Sequence, residues 1–247
     1  MRALAQVVAE ATGRGGTRLT TLHGDPPIAL RESGDGLYLV GSAQGLLADD
    51  HLTLDVVVGP GASLCVRSVA ATVAYASRGA ILEIRARVGP AGSLIWCPQP
   101  LVATARCRLA MRARIVLDAG ARLDWTDECQ IGRAGEALGV LDLSLSMAVD
   151  GPSGPLFAHE LVIGERSPGW DGPAVLGASR AVAQRVVATG SIGNPVATAH
   201  PASGTGWARL PLEAGGHVVS AVGVDLIEVR RRLAEAARAS GVGAEPT

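Results

Sequence analysis

The feature that most constrains this chain is a series of alternating runs that end in nearly the same turn. Leu52, Leu54, Val56 and Val58 form one run. In a second, Leu82, Ile84, Ala86 and Val88 alternate with Glu83, Arg85 and Arg87. In a third, Leu109, Met111, Ala113, Ile115 and Leu117 alternate with Ala110, Arg112, Arg114 and Val116. Successive strand side chains point to opposite faces, so each run offers one apolar face. The turns are Gly59-Pro60-Gly61-Ala62-Ser63-Leu64, Gly89-Pro90-Ala91-Gly92-Ser93-Leu94 and Asp118-Ala119-Gly120-Ala121-Arg122-Leu123. A fuzzier fourth is Asp150-Gly151-Pro152-Ser153-Gly154-Pro155-Leu156. Their closing leucines recur 30, 29 and 33 residues apart.

Gly permits positive φ and Pro pre-sets φ at a corner, so each turn reads as a hairpin loop. One hairpin cannot bury its apolar face alone, whereas a stack can. The expected fold is therefore mainly β, with stacked antiparallel β-hairpins in layered sheets and one or two C-terminal helices. Hydrophobic residues make up 48 % of the chain, enough for a core, but aromatics are only 3 %. Leu, Val, Ala and Ile must fill the interior.

Near the C-terminus, Asp225 and Glu228 have capping-box spacing, and Leu226, Val229, Leu233 and Ala237 give one apolar stripe. Glu228 and Arg232 are spaced for an i,i+4 pair. A helix is expected at about 225–240, with Gly241 as its stop. Ala174 to Thr189 reads equally as helix by length or as buried strand around Val182 to Val187.

Aligning Leu94 on Leu123 places Trp96 on Trp125, Pro98 on Asp127 and Gln99 on Glu128. Stacked in register, these clusters would share one rim, with Trp beneath and polar groups outward. Pro98 and Pro100 cannot donate to a ladder, so Gln99 belongs to an edge or a strand break. Asp127, Glu128, Arg133 and Glu136 form the densest charged group. Asp127 and Glu128 are adjacent in a strand, so their side chains diverge and do not share a proton-transfer site unless a bulge intervenes. Pairing with Arg133 inside the chain is the plainer alternative.

Several chemistries are excluded or unsupported. All 22 basic residues are Arg, so neither a P-loop lysine nor a Schiff-base lysine exists. The net charge of −1 gives no general attraction to nucleic acid. Cys65, Cys97, Cys107 and Cys129 have no C-x-x-C spacing, and the five His show no H-x-x-H spacing. No G-x-S-x-G occurs. No signal-peptide pattern and no run of about 18 apolar residues is visible, so a cytoplasmic protein with reduced Cys and no membrane contact is expected.

The ordered motifs resemble the urease accessory protein UreD (UreH) family. Leu52 to Ala62 is similar to its first strand and GPGA turn. Ala70-Ala71-Thr72 followed by Tyr75 is similar to its A-A-T-K-x-Y segment. Trp96-Cys97-Pro98-Gln99-Pro100 is similar to W-L-P-Q-P. Trp125-Thr126-Asp127-Glu128, then Gly132-Arg133 and Gly135-Glu136, is similar to W-x-E…G-R…G-E. The chain departs at Ala48-Asp49-Asp50, where the family has G-G-D, and at Val69 and at Val73 or Ala74, where it carries Gln and Lys. These departures fit an actinobacterial-type member.

The resemblance implies one UreD-like domain over 1–247, β-rich over 1–215. It implies a non-enzymatic scaffold that binds apo-urease together with a UreF-type helical accessory protein and a nickel-carrying UreG-type GTPase. It also implies assistance to nickel insertion. No cofactor is expected to be tightly bound, although nickel can pass transiently. Gln99, Asp127, Glu128, Arg133 and Glu136 are the candidates for partner contacts or an ion path. Arg230, Arg231, Arg232 and Arg238 could dock the helical partner, or simply form a solvated helix face. Competing readings are a β-sheet ligand-binding module, a cofactor-free hydrolase using Asp127 or Glu128, and a purely structural repeat protein.

Overall fold

In a computed structural model of the chain, residues 1–239 are described except 14, 35, 44, 45, 48, 77, 134, 138, 140, 191–199 and 214. The expected stop at Gly241 and the departure at Ala48 lie outside the described residues. In order, the strands are β1 (Arg2–Ala11), β2 (Thr17–His23), β3 (Ile28–Ser33), β4 (Gly36–Gly41), β5 (His51–Val58) and β6 (Ser63–Ser68). Then come β7 (Thr72–Ala74), β8 (Ala80–Val88), β9 (Ser93–Trp96), β10 (Leu101–Ala103), β11 (Arg108–Leu117) and β12 (Arg122–Ile131). The last are β13 (Asp142–Gly151), β14 (Gly154–Gly164), β15 (Ala181–Thr189), β16 (Ala202–Gly204), β17 (Trp207–Pro211) and β18 (Gly216–Gly223), followed by helix α1 (Leu226–Arg238).

Two sheets face each other. The first runs β14-β13-β11-β8-β5-β1-β2, and the second runs β16-β17-β18-β15-β12-β9-β6-β4-β3, with β10 and β7 attached beside β12. The chain crosses from one sheet to the other at each of the three sharp turns. These turns are therefore arches, not hairpin loops. β5, β8 and β11 are mutually parallel in the first sheet, and β6, β9 and β12 are mutually parallel in the second. In register, Leu54 meets Ile84 and Ile84 meets Ala113, while Leu64, Leu94 and Leu123 line up across the gap.

The turns themselves have the tight, glycine-favouring geometry expected of them. The N–H groups of Ala62, Gly92 and Ala121 donate to the carbonyls of Gly59, Gly89 and Asp118 at 3.1, 2.9 and 3.0 Å. The third turn positions, Gly61, Ala91 and Gly120, have φ of +65°, +54° and +70°, as a type II turn requires. What the expectation missed is the partner of each strand. In a hairpin, both apolar runs would lie on one face and need a third layer. In an arch, the run before the turn covers the run after it, and the 30-residue repeat stacks the next coil in parallel. The arches also bond to one another, Gly61 N–H to Pro90 O at 2.9 Å and Ala91 N–H to Ala119 O at 3.0 Å.

The antiparallel expectation holds at the flanks. The fuzzy fourth turn is a true hairpin, with β13 and β14 antiparallel and Gly151 opposite Gly154. β12, β15, β18 and β17 also pair antiparallel. The ambiguous segment resolves into turns followed by strand β15, and the sheet continues to Gly223, past the expected limit of 215.

One helix is present among the described residues, and its capping box is observed. Asp225 Oδ1 accepts from Glu228 N at 2.8 Å, and Glu228 Oε2 accepts from Val224 N at 2.9 Å. The Glu228–Arg232 pair closes at 2.8 Å. Val229, with Leu226 and Leu233, packs on Ala181, Ala183 and Ala221 of the second sheet. Those small residues let the helix sit close. Arg209, only 1 % exposed, donates to the carbonyls of Ala236 and Ala239 at 2.9 and 3.2 Å, placing a cation at the negative end of the helix. No described helix is long and apolar enough to cross a membrane.

Candidate functional site

Two apolar clusters fill the sandwich. One, near the arches, includes Val58, Val88, Leu117, Leu64, Leu94 and Leu123. The other, near the long returns, includes Leu52, Leu101, Cys107, Leu109, Cys129 and Leu143. Residues of both clusters line a cavity of about 950 Å³.

Asp127 lies on the inner face of β12, two residues beyond the buried Trp125. β9 and β12 are parallel with Trp96 opposite Trp125, as the alignment expected. The indoles stack at 4.5 Å between centroids, only 9° from coplanar. Both point their N–H groups at one carboxylate: Trp125 Nε1 donates to Asp127 Oδ2 at 2.6 Å, and Trp96 Nε1 to Oδ1 at 3.2 Å. Burial pushes the Asp127 carboxyl up to about 6, with the two indole donors opposing the rise. Asp127 thus faces inward and lines the cavity, rather than outward as expected. Gln184, its ladder partner on β15, and Cys129 line the same space. Burial raises the Cys129 thiol far above its ordinary range, so it is a neutral thiol.

Glu128 projects the other way, as alternation requires. Its carboxylate takes Arg230 of α1 in a fork, Nε to Oε1 at 2.9 Å and an outer nitrogen to Oε2 at 2.6 Å. Glu128 is 10 % exposed and Arg230 51 %. The two adjacent carboxylates share no site. Neither pairs with Arg133, whose guanidinium lies over the Tyr75 ring at 5.3 Å. Arg133 N–H donates to Glu136 Oε2 at 2.9 Å, and Glu136 N–H to Arg133 O at 3.0 Å. Backbone donors, Arg133 first, hold the Glu136 carboxyl below its ordinary value. This pair braces the return after β12.

The one-to-one alignment fails past the tryptophans. Trp96 pairs with Trp125 and Leu101 with Cys129, so residues 97–100 face only 126–128. Pro98 and Pro100 break the strand, as expected, and this segment takes up the extra residue. Gln99 is exposed, lines the cavity and is fixed by its N–H donating to Ser68 Oγ at 2.8 Å. Val69, 63 % exposed, lines the same mouth, and Val73 lies on β7 beside it. The structure thus brings Gln99 and Asp127 to the cavity wall, places Glu128 beside it with its carboxylate turned away to α1, and sets Arg133 and Glu136 outside it.

Sequence reasoning missed Gln184 and the role of Arg230, which lies 102 residues from Glu128. No local pattern signals either. Arg231 pairs with Glu235, Arg232 with Glu228 and the Val222 carbonyl, and Arg238 with the Ala234 carbonyl. These arginines are engaged within the chain. Among the described residues, no three His, Cys, Asp or Glu side chains converge as a metal-binding group.

Fold and site define a coiled two-sheet scaffold with a carboxylate-bearing internal cavity. The family profile described as UreD urease accessory protein matches residues 2–246. The chain is 40 % identical to the urease accessory protein UreD of Parafrankia sp. (strain EAN1pec), covering 94 % of this chain and 86 % of that one. It is 36 % identical to the namesake of Streptomyces avermitilis over 98 % of each chain, and 38 % identical to that of Streptomyces coelicolor over 94 % of each. The chain belongs to the UreD family of urease accessory proteins, which act in urease maturation.

Proposed function

We propose that the chain is a non-catalytic maturation scaffold. It binds apo-urease with a UreF-type helical protein and a UreG-type GTPase, and it assists the delivery of nickel, its cargo, to the urease active site. The observation that carries the site assignment is Asp127. It is an inward carboxylate in an otherwise largely apolar cavity, with Gln184 beside it and Gln99 at the mouth. Oxygen donors of this kind hold a divalent cation weakly, which suits a site that must release its ion. Glu128 serves differently, by fastening α1 to the second sheet.

The test is co-purification with urease and the two accessory proteins, followed by nickel analysis of the urease. The expected result is a complex and nickel-loaded urease. Failure to co-purify with any of the three contradicts the proposal. The cavity volume also falls in the range of small-molecule sites, which favours a ligand-binding module as the second reading. Native mass spectrometry of the chain purified alone separates the two, because only a ligand-binding module retains an organic molecule.

A further inference from the structure

The two sheets differ on their outer faces. The second carries α1, whereas alternate residues of β8 and β11 in the first remain exposed. That face holds Arg85 and Arg87 on β8, and Arg108, Arg112 and Arg114 on β11. Arg85 stands directly opposite Arg114 in the parallel ladder. Like charges in such a position destabilise a sheet, so folding alone does not favour them.

Some of these charges are answered within the chain. Glu83 Oε2 accepts from Arg85 at 2.7 Å, Asp55 lies 3.9 Å from Arg85, and Asp118 is 3.4 Å from Arg87. Arg112 and Arg114 differ. Both are exposed, and neither has a hydrogen bond or ion pair among the described residues. Glu83 is opposite Arg112 but gives its oxygen to Arg85; it feels Arg114 only through space. On the other side, Ser146 and Ala148 of β13 face Arg112 and Arg114 and bring no negative charge.

We propose that this face docks a protein whose matching surface carries carboxylates, with Arg112 and Arg114 as the principal contacts. Guanidinium forks bind carboxylates through two parallel hydrogen bonds, which orient a partner as well as attract it. A protein fits better than a nucleic acid. The chain is net −1, and Asp55 and Glu83 interrupt the positive face. The inference rests on the scaffold reading and adds to it a surface and a partner chemistry.

The experiment measures binding of the chain to purified apo-urease and, separately, to each accessory protein, at low and moderate salt. It compares the unaltered chain with Arg112→Gln/Arg114→Gln and Arg112→Glu/Arg114→Glu. Thermal unfolding checks that all three are folded, and the Gln pair should be at least as stable as the original because it relieves repulsion. The expected result is one partner bound about tenfold more weakly by the Gln pair, chiefly in association rate, with a shallower salt dependence. The Glu pair should lose binding to it. Undiminished binding of every partner by the folded Glu pair overturns this inference alone. No binding of any partner by the unaltered chain overturns the scaffold reading and this inference with it. Equal affinity of the unaltered chain for duplex DNA overturns the assignment to a protein partner.

Discussion

The two ends of the sandwich are built from the same coils yet differ in what they enclose. At the arch end, four-residue turns hold the sheets together, and Val58, Val88, Ile115, Leu94 and Leu123 close the core. At the other end, long returns carrying β7 and β10 replace the turns. There the inner faces part around a cavity lined by residues such as Met111, Leu145 and Asp127. A repeat therefore specifies the scaffold, and the breaks in the repeat specify the site. The only inward carboxylate on β12 lies just where the neighbouring strand breaks off.

The sharpest way to break this comparison is to truncate apolar side chains at both ends. Leu94→Ala should cost about 2–5 kcal/mol, because stacked coils leave no room to relax. Met111→Ala, beside existing space, should cost about 1 kcal/mol. Enlargement should give the same ranking of tolerance. Leu145→Phe should be accommodated in the cavity, whereas Val88→Phe should destabilise by about 1–3 kcal/mol. Denaturant unfolding measures all four. Equal costs at the two ends would remove the distinction.

The next largest effect is in pH dependence. Asp127 has a folded pKa of about 6, above its ordinary value of 3.8, so folding takes up a proton. Its contribution is fully present below the ordinary value and is lost as pH rises through about 6, by about 2–3 kcal/mol in total. Asp127→Asn should lack this fall. The difference between the two chains should change between pH 4 and pH 7 and be level on either side. Asp50 and Glu83, whose carboxyls are lowered, act in the opposite sense in both chains and cancel in the difference. A flat difference would place Asp127 in water rather than inside.

Glu128→Ala should cost about 1 kcal/mol, because the half-exposed Arg230 returns to water once its fork is lost. Hydrogen exchange should quicken in α1 and stay unchanged in the arches. The smallest effect is a gain. Ala91 occupies a left-handed position that its counterparts, Gly61 and Gly120, fill without strain. Ala91→Gly should stabilise by about 1 kcal/mol and raise the unfolding midpoint.

Much of this fold was legible because alternation and turn chemistry are local. The three apolar runs, the tight Gly and Pro corners, the Trp96–Trp125 register and the capping box at Asp225 could all be read from short windows. The direction of pairing could not. A Gly-Pro-Gly corner looks the same whether its flanking strands bond to each other or to the coils above and below, and only burial of both apolar faces decides. The fate of Asp127 and Glu128 was half legible. Alternation separated them, but which face was interior depended on α1 arriving from about a hundred residues away. The offset between residues 97–100 and 126–128 was concealed by aligning the motifs without a gap.

The central claim is that the open end of the sandwich, with Asp127 inside it, is the working end. Its most direct test is the nickel content of urease purified from cells co-expressing the partner proteins with either Asp127→Asn or Ala91→Gly, at matched levels of folded chain. The account predicts urease depleted of nickel with Asp127→Asn and fully loaded with Ala91→Gly. Full loading with Asp127→Asn would contradict it.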